Sequence, residues 1–329
     1  MEILAVKLSS LGDILHVLPA VHALKAQTGA EIDWAVHPEF AALVGTFRDV
    51  RRVIEIPRHG VLRGFLPALR ALRATRYDIV VDLQGLAKSG IVSRLARGER
   101  RIAPSYAREG SGVLFRERAG RMDRTRHAVE QAFDTLDYLG LKRPSAPLSP
   151  ADFILPRMAR PEGSPLIAIA PVSRWATKNW PISNFAAVAR IFGAANPSAR
   201  FAVVGGKADA AAGAEIAAAL PGRVENFCGK TTIAETMALL AQSDLLVAVD
   251  TGPVHMAAAV GTRCLVVFGS TRPEWTGPYG GGHRTIAAGL PCQPCVKRRC
   301  ARGDLACLSA VAPEMVAAAA REMMEGICH

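Results

Sequence analysis

The stretch Asp244-Leu-Leu-Val-Ala-Val-Asp-Thr-Gly-Pro-Val-His255 leaves few options for the fold around it. Its five consecutive apolar residues, 245 to 249, suit a strand buried on both faces, which a covered parallel sheet provides. Asp250-Thr251-Gly252 then breaks the strand, and Pro253 is placed to start a helix. In open α/β sheets ligands bind beyond the carboxyl ends of the strands, and free N–H groups at a helix start favour an anion. A phosphate is the guest these residues suit. Asp250 offers a carboxylate to sugar or ribose hydroxyls, Thr251 a hydroxyl, Gly252 an unshielded N–H, and His255 lies one turn into the helix. The same residues would also serve as a helix cap with a core histidine behind it.

Around this stretch, strand and helix patterns alternate along the chain. Strands are expected at 3–8, 32–36, 53–56 and 79–83, with helices over 14–27, near 40–44 and 66–73, and over 128–139. Residues 94–126 hold ten basic and four acidic residues with four glycines, which suggests loops. Six prolines between Pro144 and Pro165 read as an interdomain linker. A second alternating series follows: strands at 166–170, 200–204, 245–249 and 264–268, helices at 182–192, 210–220, 233–241 and from Pro253, and a last helix from Pro313. The fold class is α/β, with two doubly wound, Rossmann-like domains facing a cleft. The boundaries expected are 1–155, 156–312 and a C-terminal helix over 313–329.

Half of the 329 residues are hydrophobic, which excludes disorder as a class, and no span of ~20 apolar residues runs uninterrupted. Met1-Glu-Ile-Leu-Ala-Val-Lys7 lacks the basic start and cleavage site of a signal peptide, so a soluble, cytoplasmic protein is expected. The formal charge of +11 is concentrated early, with 25 Lys and Arg against 17 Asp and Glu in residues 1–160. An acidic partner is therefore expected at the N-terminal half. Aromatics make up 6% and do not interleave with the basic residues, so a phosphorylated substrate or an anionic membrane surface fits and nucleic acid does not.

Several loops at strand ends carry chemistry. Lys7-Leu-Ser-Ser-Leu-Gly-Asp13 ends the first strand with a lysine and opens a helix with a carboxylate suited to general base or N-cap. Ser10 and Gly12 belong to that loop, and Arg58, Arg63 and Arg116 to the basic half, where contact with an acidic partner is expected. Pro171-Val-Ser-Arg-Trp-Ala-Thr-Lys-Asn-Trp-Pro181 offers Ser173, Thr177 and Lys178 to a diphosphate. Gly205-Gly206-Lys207-Ala208-Asp209 is too short for a dinucleotide fingerprint, but Asp209 could hold ribose hydroxyls. Gly269-Ser-Thr-Arg-Pro-Glu274 completes the set. Four polar loops at strand ends of one domain imply a nucleotide site.

Together these pieces, with Asp82-Leu-Gln-Gly-Leu-Ala-Lys-Ser89, His127-Ala-Val-Glu130 and Lys178-Asn-Trp180, make the chain resemble the lipopolysaccharide heptosyltransferases of glycosyltransferase family 9, the heptosyltransferase I group above all. The resemblance runs nearly end to end. It implies a GT-B fold whose C-terminal helix, 313–329, packs back toward the first domain, and inverting transfer of heptose from ADP-L-glycero-β-D-manno-heptose to Kdo of the inner core (Kdo2-lipid A), without a bound metal or other cofactor. It further implies a monomer at the cytoplasmic face of the inner membrane. By motif position, Asp13 becomes the base and Lys178 the diphosphate ligand. Asp250, Thr251, Gly252 and His255 then touch phosphate and heptose, with Ser173 and Asp209 on the donor too.

Cys292-Gln-Pro-Cys295, Cys300 and Cys307 are a departure. Their types suit a metal, their intervals differ from paired zinc knuckles, and Lys297-Arg-Arg299 between them suits phosphate. Similar segments in members closer to heptosyltransferase II leave that acceptor, or another sugar transfer, as an alternative. A cysteine-ligated metal or redox protein on an inactive scaffold is the reading from a different class.

Overall fold

The computed structural model describes residues 1–58, 61–123, 125–162 and 164–325, with the side chains of 61–65 outside that description. The chain divides into two units, residues 1–154 and 155–329.

The first unit runs β1 (Glu2–Val6), α1 (Leu11–Thr28), β2 (Glu31–Val36), α2 (Pro38–Val44), β3 (Val50–Glu55), α3 (Val61–Arg73), β4 (Arg76–Asp82), α4 (Ala87–Leu95), β5 (Arg97–Ala103), β6 (Glu117–Arg118), α5 (Ala128–Ala132) and α6 (Asp134–Tyr138). Its six strands lie in the order β3-β2-β1-β4-β5-β6, and every pair is parallel. Ile3, Leu4, Trp34 and Val80 at the centre are fully buried, as a sheet covered on both faces requires. A buried carboxylate crosses the strands: Asp33 accepts from Arg51 Nε at 3.0 Å, Arg52 Nη2 at 2.6 Å and the Tyr77 hydroxyl at 2.8 Å. An unpaired carboxylate there would cost several kcal/mol, on the order expected for a buried ion, so all three partners matter.

The second unit runs β7 (Leu166–Ala170), α7 (Ile182–Ala195), β8 (Arg200–Val203), α8 (Ala210–Ala219), β9 (Val224–Asn226), α9 (Ile233–Ala241), β10 (Leu245–Val249), α10 (Gly252–Ala259), β11 (Cys264–Val267), α11 (Pro273–Thr276), β12 (Arg284–Ile286), α12 (Ala306–Ser309) and α13 (Pro313–Glu325). Its order, β12-β11-β10-β7-β8-β9, repeats that of the first unit. All residues of β7, β10 and β11 are buried.

Two expectations change. Residues 94–126 are not all loop: β5 pairs with β4 from Arg76↔Arg97 to Val81↔Ile102, although its sequence, Arg-Gly-Glu-Arg-Arg-Ile-Ala, is mostly charged. Its outer residues are exposed and only Ile102 and Ala103 enter the core, so hydrophobic patterning could not reveal it. The proline-rich span is only partly a connector. Phe153 bridges Phe47, and Ile154 donates to Thr46 O at 2.6 Å, which fastens that portion to the first unit. The last helix, α13, buries Val316, Ala317, Ala319 and Ala320 in the second unit's core beside α7, β10 and β11.

Candidate functional site

In the second unit the strand order switches between β7 and β10, which opens a crevice at their carboxyl ends. The Thr251 hydroxyl spans that point, donating to Val172 O at 2.9 Å. Asp250, buried at the end of β10, accepts from the Thr271 hydroxyl at 2.5 Å, and its Oδ2 lies 2.7 Å from Lys178 Nζ. Loops after β7, β10 and β11 therefore meet on one carboxylate. Lys178 also stands over the Trp175 ring at 4.9 Å, which Arg298 shares at 5.0 Å. α10 begins immediately beyond. Its cap residue Thr251 makes no side-chain cap bond, Pro253 has no N–H and the Val254 N–H donates to Thr251 O at 3.1 Å, so the Gly252 N–H is the first-turn group placed for an anion. His255 is buried in this helix.

Two loops hold themselves in shape. Ser173 N–H donates to Asn179 Oδ1 at 2.7 Å, and Gly206 N–H to Asp209 Oδ2 at 2.8 Å. The described hydrogen bond of Asp209 thus closes its own turn, and none joins it to Asp250. Gly269 touches the carbonyl of Thr177 so closely that a Cβ would collide with it. Ser270 N–H donates to that same carbonyl at 3.1 Å.

The first unit has an equivalent switch point between β1 and β4. Here Gln84 Oε1 accepts from Leu8 N–H at 3.1 Å and Ser9 N–H at 3.0 Å, tying the two strand ends. Asp82, wholly buried, accepts from Gln84 N–H at 2.8 Å, Gly85 N–H at 3.1 Å and the Ser89 hydroxyl at 2.9 Å. Burial pushes its carboxyl up to about 6 against these bonds and the charge of Lys7. Burial likewise lowers Lys7 below the usual lysine range, against attraction from Asp13 and Asp82. Both shifts favour the neutral forms, so desolvation outweighs the attraction between the two groups. Lys7 Nζ is 5.9 Å from the centre of the Tyr106 ring, whose hydroxyl donates to Leu83 O at 2.7 Å.

Asp13 occupies the first turn of α1, with Gly12 before it. Its Oδ2 accepts from Ser10 Oγ at 2.7 Å and Ser10 N–H at 3.1 Å, a capping box. The N-cap is thus Ser10, with Asp13 two residues inside the helix start accepting from it, and the carboxylate is held in a fixed orientation near the buried Lys7. His16, one turn later, meets His127 edge to face at 5.4 Å.

The basic candidates are dispersed. Arg58 pairs with Glu39 at 3.0 Å and lies over Phe40 at 5.9 Å. Arg116 is exposed and lines a cavity of about 270 Å³ with Arg94, Arg101, Leu114, Glu99 and Glu117. The Arg63 side chain lies outside the described residues. No described contact joins Arg58 or Arg116 to Asp13.

Cys292, Cys295, Cys300 and Cys307 line one cavity of about 30 Å³ beside Thr177, Gly269 and Ser270. Among the described residues no three His, Cys, Asp or Glu side chains are gathered as a bound metal ion gathers them.

Sequence reasoning missed Thr271, Asp82, Gln84 and Tyr106 as site components. Thr271, Asp82 and Gln84 lay within quoted motifs; the partner of Thr271, Asp250, is 21 residues away, and Gln84 reaches Leu8 and Ser9 from 76 and 75 residues away, whereas Asp82 is held by its own loop.

Comparison with known proteins places this geometry in a family. The model of glycosyltransferase family 9 (heptosyltransferase) matches residues 66–306. Lipopolysaccharide heptosyltransferase 1 of Pseudomonas aeruginosa is 33% identical, over 91% of this chain and 87% of the relative. The protein of the same name from Salmonella typhimurium is 30% identical, over 85% and 92%. Among solved structures, E. coli heptosyltransferase WaaC with ADP aligns with a TM-score of 0.80 at 24% identity, covering 98% of this chain and all of that one. E. coli ADP-heptose heptosyltransferase II aligns with a TM-score of 0.78 at 21% identity, over the whole of both chains. The chain belongs to glycosyltransferase family 9, the heptosyltransferases.

Proposed function

We propose that the chain transfers L-glycero-D-manno-heptose from ADP-heptose to Kdo of Kdo2-lipid A, with inversion. The observation that carries this reading is the meeting of Lys178, Asp250 and Thr271 beside the α10 N-terminus at the second unit's switch point. Relatives named lipopolysaccharide heptosyltransferase 1, 30–33% identical over most of the chain, support the donor and the acceptor.

In the reaction, Asp13 removes the proton of a Kdo hydroxyl, and the oxygen attacks the anomeric carbon from the face opposite ADP. The carbon–oxygen bond to the diphosphate then breaks through an oxocarbenium-like transition state. Lys178 and the Gly252 N–H at the start of α10 neutralise the departing charge, so the chemistry itself needs no metal ion. Asp250 holds heptose hydroxyls, with Thr251, Gly252, His255 and Ser173 around phosphate and sugar, and Asp209 takes the ribose. Ser10, Gly12, Arg58, Arg63 and Arg116 serve the acceptor. The protein works as a monomer, its basic first unit against the anionic face of the inner membrane; among the described residues no helix is long and apolar enough to cross one.

The test is incubation with ADP-heptose and Kdo2-lipid A followed by mass analysis of the lipid. Addition of one heptose supports the reading. Transfer only to a lipid already carrying one heptose would reassign the acceptor to the heptosyltransferase II type.

A further inference from the structure

We propose that Cys292, Cys295, Cys300 and Cys307 form a four-thiolate site for a divalent thiophilic metal ion, zinc in the first place, that clamps the loop flanking the donor pocket. The four cysteines come from three points of one segment, yet all line a single cavity of about 30 Å³, room for little more than an ion or a water. The other two described cysteines, Cys228 and Cys264, are buried elsewhere, and none of the six is in a disulfide.

Charge agrees with this assignment. Four thiolates around a divalent ion carry a net charge of about −2. Residues 292–307 supply Lys297, Arg298, Arg299 and Arg302 against one acid, Asp304, which Arg302 already pairs at 2.8 Å. A tetrahedral sulfur set selects zinc or iron over magnesium or calcium.

The segment is also fastened to the donor loops. Gln293 Nε2 donates to Phe268 O and Gly269 O, both at 2.8 Å, Val296 N–H to Ser270 O at 2.7 Å, and the Thr177 hydroxyl to Lys297 O at 2.7 Å. Arg298, between the second and third cysteines, shares the Trp175 ring with Lys178. Fixing the loop therefore fixes the setting of the lysine that faces Asp250. Because the described thiols are not yet gathered around one point, binding must draw them inward. Each ion forms four metal–sulfur bonds and displaces four thiol protons to solvent.

Elemental analysis of the full chain, purified under reducing conditions and reconstituted with Zn²⁺, should find about one ion per chain. Co²⁺ in its place should give the intense near-ultraviolet band of thiolate coordination. Cys300→Ser and Cys307→Ser should each lose the band and at least tenfold in Zn²⁺ affinity against a chromophoric chelator, whereas Cys228→Ser should keep both. If either variant fails to fold, the chelator competition and thiol count on the unaltered protein still decide. Fewer than about one ion per ten chains with all thiols free, a disulfide in this segment, or unchanged binding in the cysteine variants would each overturn the proposal. Chelation of the metal-loaded enzyme should raise KM for ADP-heptose more than it lowers kcat. That readout separates a clamp from an ion engaged in chemistry, and metal content is measured without reference to transfer.

Discussion

Lys178 Nζ and Asp250 Oδ2 are 2.7 Å apart, on loops that follow different strands, with the Thr271 hydroxyl on the same carboxylate oxygen. The lysine assigned to the departing diphosphate thus has an internal counter-ion. Under the proposed roles, an approaching diphosphate would compete with Asp250 for it, and heptose hydroxyls would take over the carboxylate.

Removing the lysine should therefore act on turnover. Lys178→Ala is expected to lower kcat about a hundredfold, the scale for one donor aimed at developing charge. Steady-state kinetics with ADP-heptose check it; normal turnover would take Lys178 out of the mechanism.

Asp250→Ala should weaken ADP-heptose more than ADP, since the sugar hydroxyls lose their acceptor while the nucleotide keeps its contacts. Calorimetry with the two ligands is the comparison. Equal losses would mean that the carboxylate acts by positioning Lys178 alone.

For Asp13 the cap and the base make opposite forecasts. Asn can still accept from Ser10, so Asp13→Asn should change thermal stability by less than about 1 kcal/mol. A neutral amide cannot take the acceptor's proton, and transfer should fall about a hundred- to ten-thousandfold. Folded, donor-binding variant with near-normal transfer would leave Asp13 as a cap only.

Asp82 should show itself in pH dependence. Its folded carboxyl titrates near 6, above the ordinary aspartate range, because of burial. The folded state then holds a proton that the unfolded chain has released, so stability falls as pH rises from about 4 to about 6. Asp82→Asn abolishes that contribution. The stability difference, variant minus parent, should climb by about 2 to 3 kcal/mol across this window and stay flat above it. A difference with no slope between pH 4 and 6 would show that Asp82 is ionised normally.

Gly269→Ala tests how closely the loops are set. Because its Cβ would meet the Thr177 carbonyl, backbone must shift, at a cost of about 1–3 kcal/mol, and Lys178 shifts with it. Denaturant melts should show the loss and donor titrations a weaker ADP-heptose complex.

The strand-and-turn stretch around Asp250 was legible because its signals are local: five apolar residues, a polar break and a proline in place for a helix start. β7, β11 and the helices α7 and α9 were legible for the same reason. β5 was not, since its place is decided by β4 alongside it rather than by its own charged residues. β9 and β12, three residues each, are too short to show alternation. The Lys178–Asp250 pair was half visible: both residues were singled out, but their contact spans 72 positions and depends on β7 and β10 becoming neighbours. The cysteines stood out by type, while their convergence on one cavity is a property of the folded loop.

Trp180 Nε1 donates to Val311 O at 3.1 Å across 131 residues, and α13 just beyond fills the same core. A ribosome making this chain must therefore finish residues 313–320 before the second unit can close its hydrophobic interior, whereas the first unit has all its own strands much earlier. A nascent chain stalled before that helix would carry the strands of the first unit complete and a second unit with its hydrophobic interior open, exposed to proteases.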